Sequence, residues 1–116
     1  MLVKRVPELS YRRGGNASNS CSVLSQLGIS SEFLGTLFNS MGLDFIKKDF
    51  AEHSVSIESC PIIPNSDFPT SVVIVNTVNG SRTILHHPKD LQELSVEHFN
   101  KVDISAYSWI HFEVKC

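Results

Sequence analysis

At 116 residues the chain is the size of one small domain, long enough to bury a core and too short for two. With 10 basic against 12 acidic residues and a formal charge of -2, nothing in it suggests a nucleic-acid or anionic-membrane surface. No apolar run reaches bilayer-spanning length and the amino terminus has too short an apolar stretch for a signal peptide, so a reducing, cytoplasmic setting is the default.

The three cysteines, Cys21, Cys60 and Cys116, are odd in number and far apart, which fits free thiols better than a disulfide framework or a zinc site. Residues 1–13 carry Leu2, Val3, Val6, Leu9 and Tyr11, broken by Pro7. Proline removes a ladder donor, so a strand here is an edge or is interrupted.

The stretch Arg12-Arg13-Gly14-Gly15-Asn16-Ala17-Ser18-Asn19-Ser20-Cys21 comes next. Adjacent glycines allow a sharp turn, unusual dihedrals or close approach of another molecule to the main chain. Ala17, Cys21, Leu24 and Gly28 then fall at helical spacing, with Ser20, Val23 and Leu27 beside them, which predicts a helix with one side packed on a sheet. Asn16 lies at its first turn, and Ser18 and Asn19 are able to cap the free amides there. Asn16 and Asn19, three apart, share a side of the helix and offer donors and acceptors beside a positive dipole end. Such a corner suits a polar ligand with many hydroxyls. A plain Gly-Gly turn before a tightly packing small-residue helix accounts for the same residues without a ligand.

Gly28 is a stop signal, and Glu32 to Phe38 reads as a strand buried on both faces. Asn39 to Gly42 makes a loop, after which Leu43, Phe45, Ile46 and Phe50 form the apolar face of a second helix ending near His53 and Ser54. Lys47, Lys48, Asp49 and Glu52 are its wet face. Cys60 to Pro69 holds three of the five prolines and reads as a loop or irregular edge. Thr70 to Val78, a turn at Asn79-Gly80 and Ser81 to Leu85 predict a β-hairpin, whose continuous Val72-Val73-Ile74-Val75 run predicts a central first strand covered on both faces. His86 to Asp90 is loop-like, and its adjacent histidines diverge in most backbones, which argues against a metal pair. Ser95 caps a short helix through about Asn100. Trp109 to Val114 alternates as a strand, with Ile110, Phe112 and Val114 on one face and Trp109, His111 and Glu113 on the other. Glu113 lies near the carboxyl end of that strand, where open α/β sheets place ligands. The elements sum to an α/β layout with too few strands for a complete parallel sheet.

Arg13-Gly14-Gly15-Asn16-Ala17-Ser18-Asn19-Ser20-Cys21, followed by Val23-Leu24-Ser25 and Leu27-Gly28, resembles the sugar-binding motif of the ribokinase-like carbohydrate kinases. Asn76 with Gly80 to Leu85 looks like the hairpin of the same family, and Phe99 to Asp103 with Trp109 to Glu113 looks like the strand after it. The resemblance implies a single partial domain over residues 1–116: a ribokinase-like β-α-β sandwich with a small β-sheet lid (β-clasp), truncated at both ends, with lid strands near 1–13 and 57–86. It also implies ATP-dependent phosphorylation of the 1-hydroxyl of fructose or another ketohexose, with Mg2+ accompanying ATP, and a homodimer through the lids. Carried over to this chain, Gly15 approaches the sugar, Asn16 and Asn19 bond its hydroxyls, Arg82 reaches toward nucleotide phosphate, and Glu113 is a carboxylate near the sugar pocket. An exposed hairpin arginine and a carboxylate at an exposed strand end remain the plain alternatives for the last two.

The chain also departs from the family pattern. The first strand, with an aspartate that grips the sugar, and the Gly-Ala-Gly-Asp segment that supplies the anion hole and catalytic base are not among its residues. Phosphoryl transfer demands both a base and charge stabilisation. The resemblance therefore implies the sugar-binding half of a kinase, inactive alone, with no catalytic residue assignable. The alternative is a non-catalytic chain that pairs its lid with full-length subunits.

Overall fold

The computed structural model describes residues 1, 3–89 and 92–114. Leu2 in the proposed first strand, Asp90 in the loop after the hairpin, and Cys116 among the thiols lie outside the described residues. Two helices and two short parallel ladders hold the core, and a hairpin and an irregular carboxyl-terminal stretch complete the chain.

Helix α1, Asn16–Gln26, packs against strands β1, Ser31–Glu32, and β3, Val55–Ser56. Its inward stripe is Ser18 and Ser22, both buried, with Ala17, Cys21 and Ser25 partly covered. This corrects the expected apolar face: Val23, Leu24 and Leu27 are 54%, 38% and 71% exposed. Small hydroxyl side chains sit close to the sheet because each has a backbone acceptor three or four residues before it. Ser22 Oγ donates to Ser18 O at 3.3 Å, so little polar surface is buried without a partner.

The single strand expected over Glu32 to Phe38 is instead two strands, β1 and β2, Leu37–Phe38, separated by an irregular turn. β1 pairs in parallel with β3, and β2 in parallel with β4, Ile62–Ile63. Parallel partners need a long crossover, and helix α2, Leu43–Glu52, lies within both connections. The expected helix is thus present, with Leu43 and Phe50 buried and Asp44 in the first turn near its positive end.

The core consists of Leu37, Phe38, Leu43, Phe50 and Val55. Phe33 stacks on Phe50 with ring centroids 5.2 Å apart, and Phe68 meets Phe38 edge-on at 5.2 Å. Each arrangement is favourable for aromatic quadrupoles.

Strands β5, Thr70–Val75, and β6, Arg82–His87, form the expected antiparallel hairpin, with Thr70 opposite His87 and Val75 opposite Arg82. Three features differ from expectation. The connection is a longer turn from Asn76 to Ser81, closed by Asn76 N–H donating to Ser81 O at 2.8 Å and by the Asn76 and Asn79 side chains. His86 and His87 belong to β6 rather than a loop, because the ladder continues until it meets Thr70. β5 is not central: the hairpin is a two-stranded sheet exposed on both faces, since no third strand pairs with it among the described residues.

Residues 1 and 3–13 form no strand, as no neighbouring strand supplies a ladder, and Val3, Val6, Leu9 and Tyr11 stand exposed. Nor does Trp109 to Val114 pair with a partner among the described residues. Its Phe112 instead packs on Phe99, 5.6 Å between centroids. Helix α3, Val96–Phe99, begins as expected, with Ser95 Oγ accepting from the His98 N–H at 3.2 Å.

Candidate functional site

The corner before α1 is fastened from behind. Arg13, whose side chain is 5% exposed, places Nε 2.7 Å from Asp49 Oδ2 on α2 and donates from Nη2 to Ser22 Oγ on α1. Its guanidinium carbon lies 4.0 Å from the centre of the Phe50 ring. A planar, permanently charged fork can satisfy a carboxylate, a hydroxyl and an aromatic face together, which an ammonium cannot. Nη1 is buried with no partner among the described residues, so the desolvation of Arg13 is only partly offset. The motif comparison quoted Arg13 but gave it no role. Nothing local to Arg13 marks this tie, because its partner Asp49 lies 36 positions on.

After Arg13 the backbone turns at Gly15, φ 98 and ψ 130, a conformation strained for residues with a Cβ. A Cβ there would also stand 3.3 Å from Ser18 Oγ. Gly14 has open space where a Cβ would lie, so of the two it is Gly15 that shapes the turn. Ser18 Oγ faces Gly14 O at 2.6 Å and Gly15 O at 3.0 Å. A hydroxyl has one proton, shared here between two carbonyls, which draws the turn back against the helix. This corrects the capping expectation: Gly15 is the N-cap residue, no side chain caps α1, and Ser18 donates to the preceding carbonyls.

Asn16 and Glu113 meet across 97 positions, Asn16 Nδ2 donating to Glu113 Oε1 at 3.4 Å. His111 Nε2 lies 3.2 Å from Glu113 Oε2. Asn19 is exposed and its side chain has no hydrogen-bond partner among the described residues, while its backbone N–H closes the first helical turn on Gly15 O at 2.9 Å. Gly15, Asn16, Asn19 and Glu113 therefore cluster around the start of α1 or touch it. Arg82, at the start of β6, is exposed and shares no hydrogen bond or ion pair with that cluster. Chemically the corner offers amide donors and acceptors plus one carboxylate, a set suited to hydroxyl groups. No group of three or more His, Cys, Asp or Glu side chains able to hold a metal ion occurs among the described residues.

A second polar cluster lies behind β1. Glu32 accepts from the Tyr107 hydroxyl through Oε2 and from the Ser59 N–H at 3.2 Å. Burial works to raise its pKa, but these hydrogen bonds prevail and hold it below the usual carboxylate range, while the same contact raises that of Tyr107. Cys60 Sγ lies 3.1 Å from Phe33 O, and burial pushes its thiol up to about 11.

With this geometry in place, comparison with known proteins is decisive. The model of the pfkB family carbohydrate kinases matches residues 1–113. This chain belongs to that family. It is 43% identical over 103 residues to ketohexokinase from Mus musculus, covering 89% of this chain and 35% of the mouse protein. Among solved structures it resembles a fructokinase from Xylella fastidiosa, TM-score 0.64 at 26% identity, covering 84% of this chain and 32% of that one. The same fructokinase with bound ATP matches equally in fold, TM-score 0.64 at 25% identity over 83% and 31% of the two chains. The chain spans about a third of the length of these relatives. The ribokinase-like expectation for the fold holds, as a partial α/β arrangement with small sheets. The pfkB assignment rests on nearly the whole chain rather than on the glycine corner alone.

Proposed function

We propose that this chain is the sugar-binding part of a ketohexokinase-like enzyme, one that phosphorylates the 1-hydroxyl of fructose or another ketohexose with ATP. The observation that carries the proposal is the Asn16–Glu113 contact at 3.4 Å, which joins two sugar-site residues carried over from the family resemblance. The similarity to a ketohexokinase and to a fructokinase crystallised with ATP supports the substrate pair. Gly15 lets the sugar approach the main chain, Asn16 and Asn19 bond its hydroxyls, and Glu113 accepts from another. Arg82, exposed and without an ion-pair partner among the described residues, is suited to nucleotide phosphate. Mg2+ would accompany ATP, but no residue described here is assigned to it. No residue of this chain is assigned the base or the charge stabilisation that phosphoryl transfer needs, and in this reading the chain alone binds sugar without turning it over. Free Cys21 and Cys60 suit a reducing, cytoplasmic setting.

Calorimetric titration with fructose tests this. Binding that weakens in Asn16→Ala and Asn19→Ala, with no ADP released from ATP, is the expected result. Absence of binding, or turnover by the chain alone, overturns it.

The bare hairpin favours a further element of the same proposal, a homodimer through the lid. Val72, Val73, Ile74 and Val75 are each about half exposed, as are Ile84 and Leu85 opposite them, and two apolar faces on an isolated hairpin suit a partner of the same kind. Sedimentation should show a dimer that Val73→Asp dissociates. A monomer at every concentration would exclude it.

A further inference from the structure

We propose that His111 is a positioning residue that fixes, through Glu113, which atom of Asn16 faces a ligand in the corner. It rests on the sugar-site reading for its purpose, though not for its geometry. An ionised carboxylate only accepts hydrogen bonds, so at 3.2 Å from Glu113 Oε2 the His111 Nε2 must carry its proton. For the same reason the Asn16 amide turns its nitrogen toward Glu113 Oε1, at 3.4 Å. Each carboxylate oxygen thus has one donor, His111 on one side and Asn16 on the other.

The consequence is a defined polarity. With Nδ2 committed to Glu113, Asn16 presents Oδ1 outward as an acceptor, ready for a hydroxyl that donates. His111 and Glu113 are two positions apart and their side chains meet at 3.2 Å, which is why one can brace the other. Without His111 the carboxylate is free to rotate, and the Asn16 amide loses the reference that sets its orientation. The inferred ligand group is accordingly a hydroxyl acting as donor, as on a polyol or sugar.

The test compares wild type, His111→Ala and His111→Gln by NMR and calorimetry. Glutamine restores an Nε2–H donor at similar reach. His111→Ala is expected to shift the Asn16 side-chain amide and Glu113 carboxyl signals in the ligand-free chain. It should also weaken fructose binding by about three- to tenfold, the scale of one partly exposed hydrogen bond to a charged group. His111→Gln should return both toward wild type, with the thermal midpoint the same in all three. Unchanged signals in His111→Ala, or a glutamine variant that behaves like alanine, overturns the proposal. If the wild type takes up no fructose, the sugar reading fails by itself, and the ligand-free signals still decide the role of His111: a shift restored by glutamine upholds it, and no shift refutes it.

Discussion

Arg13 Nε lies 2.7 Å from Asp49 Oδ2, so the residue just before the double glycine is tied to a helix 36 positions later. The pair is largely withdrawn from solvent, 5% and 20% exposed at the two side chains. That burial separates it from Lys48 and Glu52, which are 3.8 Å apart but 77% and 61% exposed, and which contribute little. Removing one member of the buried pair strands the other without its counter-charge. Arg13→Ala should therefore destabilise the fold by about 2–3 kcal/mol, read from denaturant unfolding. Adding Asp49→Ala should cost less than the sum of the two single changes, because the second no longer removes a satisfied charge.

The two glycines should respond unequally. Gly15→Ala places a Cβ at positive φ and 3.3 Å from Ser18 Oγ, and should cost about 1–2 kcal/mol from backbone strain alone. Gly14→Ala meets open space and should stay within about 0.5 kcal/mol of wild type. Equal losses at the two positions would show that the turn is not set by Gly15.

The Glu32–Tyr107 contact makes part of the stability depend on pH at both ends. The Glu32 pKa is lowered in the folded chain, so its contribution is present above the unfolded value of about 4.3 and is lost as pH falls through the folded value. The Tyr107 pKa is raised, so its contribution is present below about 10 and is lost as pH rises through the folded value. Tyr107→Phe should have a lower thermal midpoint near neutrality and a shallower fall on both flanks. Parallel profiles for the two proteins would refute the coupling.

Cys60 should be a slow thiol. With its pKa pushed to about 11, it is roughly one-thousandth thiolate near pH 8, where an ordinary cysteine is about one-quarter ionised. Alkylation followed by mass spectrometry should find it at least about a hundredfold slower than an unhindered thiol. Rapid modification of the folded chain would show that this side of β1 opens readily.

Much of the secondary structure was legible in the residues. The apolar spacing of Leu43, Ile46 and Phe50 marks α2, the β-branched run from Thr70 marks the hairpin, and Ser95 marks its helix. Burial was harder to read. Val72 to Val75 looks like a covered strand because a continuous apolar run carries no record of what covers it, and here both faces are bare. The Ser18 and Ser22 stripe was overlooked for the opposite reason: serine has no hydrophobic signal, yet its hydroxyl can be satisfied within its own helix. In the candidate site, Gly15, Asn16, Asn19 and Glu113 were named from the sequence, and their sugar contacts are a proposal. Arg13 and His111 act through other side chains, and such roles emerge only when residues distant in the chain are brought together.

The serine stripe also determines how α1 is seated. A helix resting on leucines can slide by an ångström and repack, since dispersion forces have little direction. Ser22 is instead gripped by Arg13, which is itself tied to Asp49 on α2, so the helix is keyed in register by directional bonds. A slip along its axis would break those bonds before it relieved any crowding. The main chain at Asn16 and Asn19 is thereby fixed, and a ligand of the proposed kind would meet a corner whose backbone is set before it arrives.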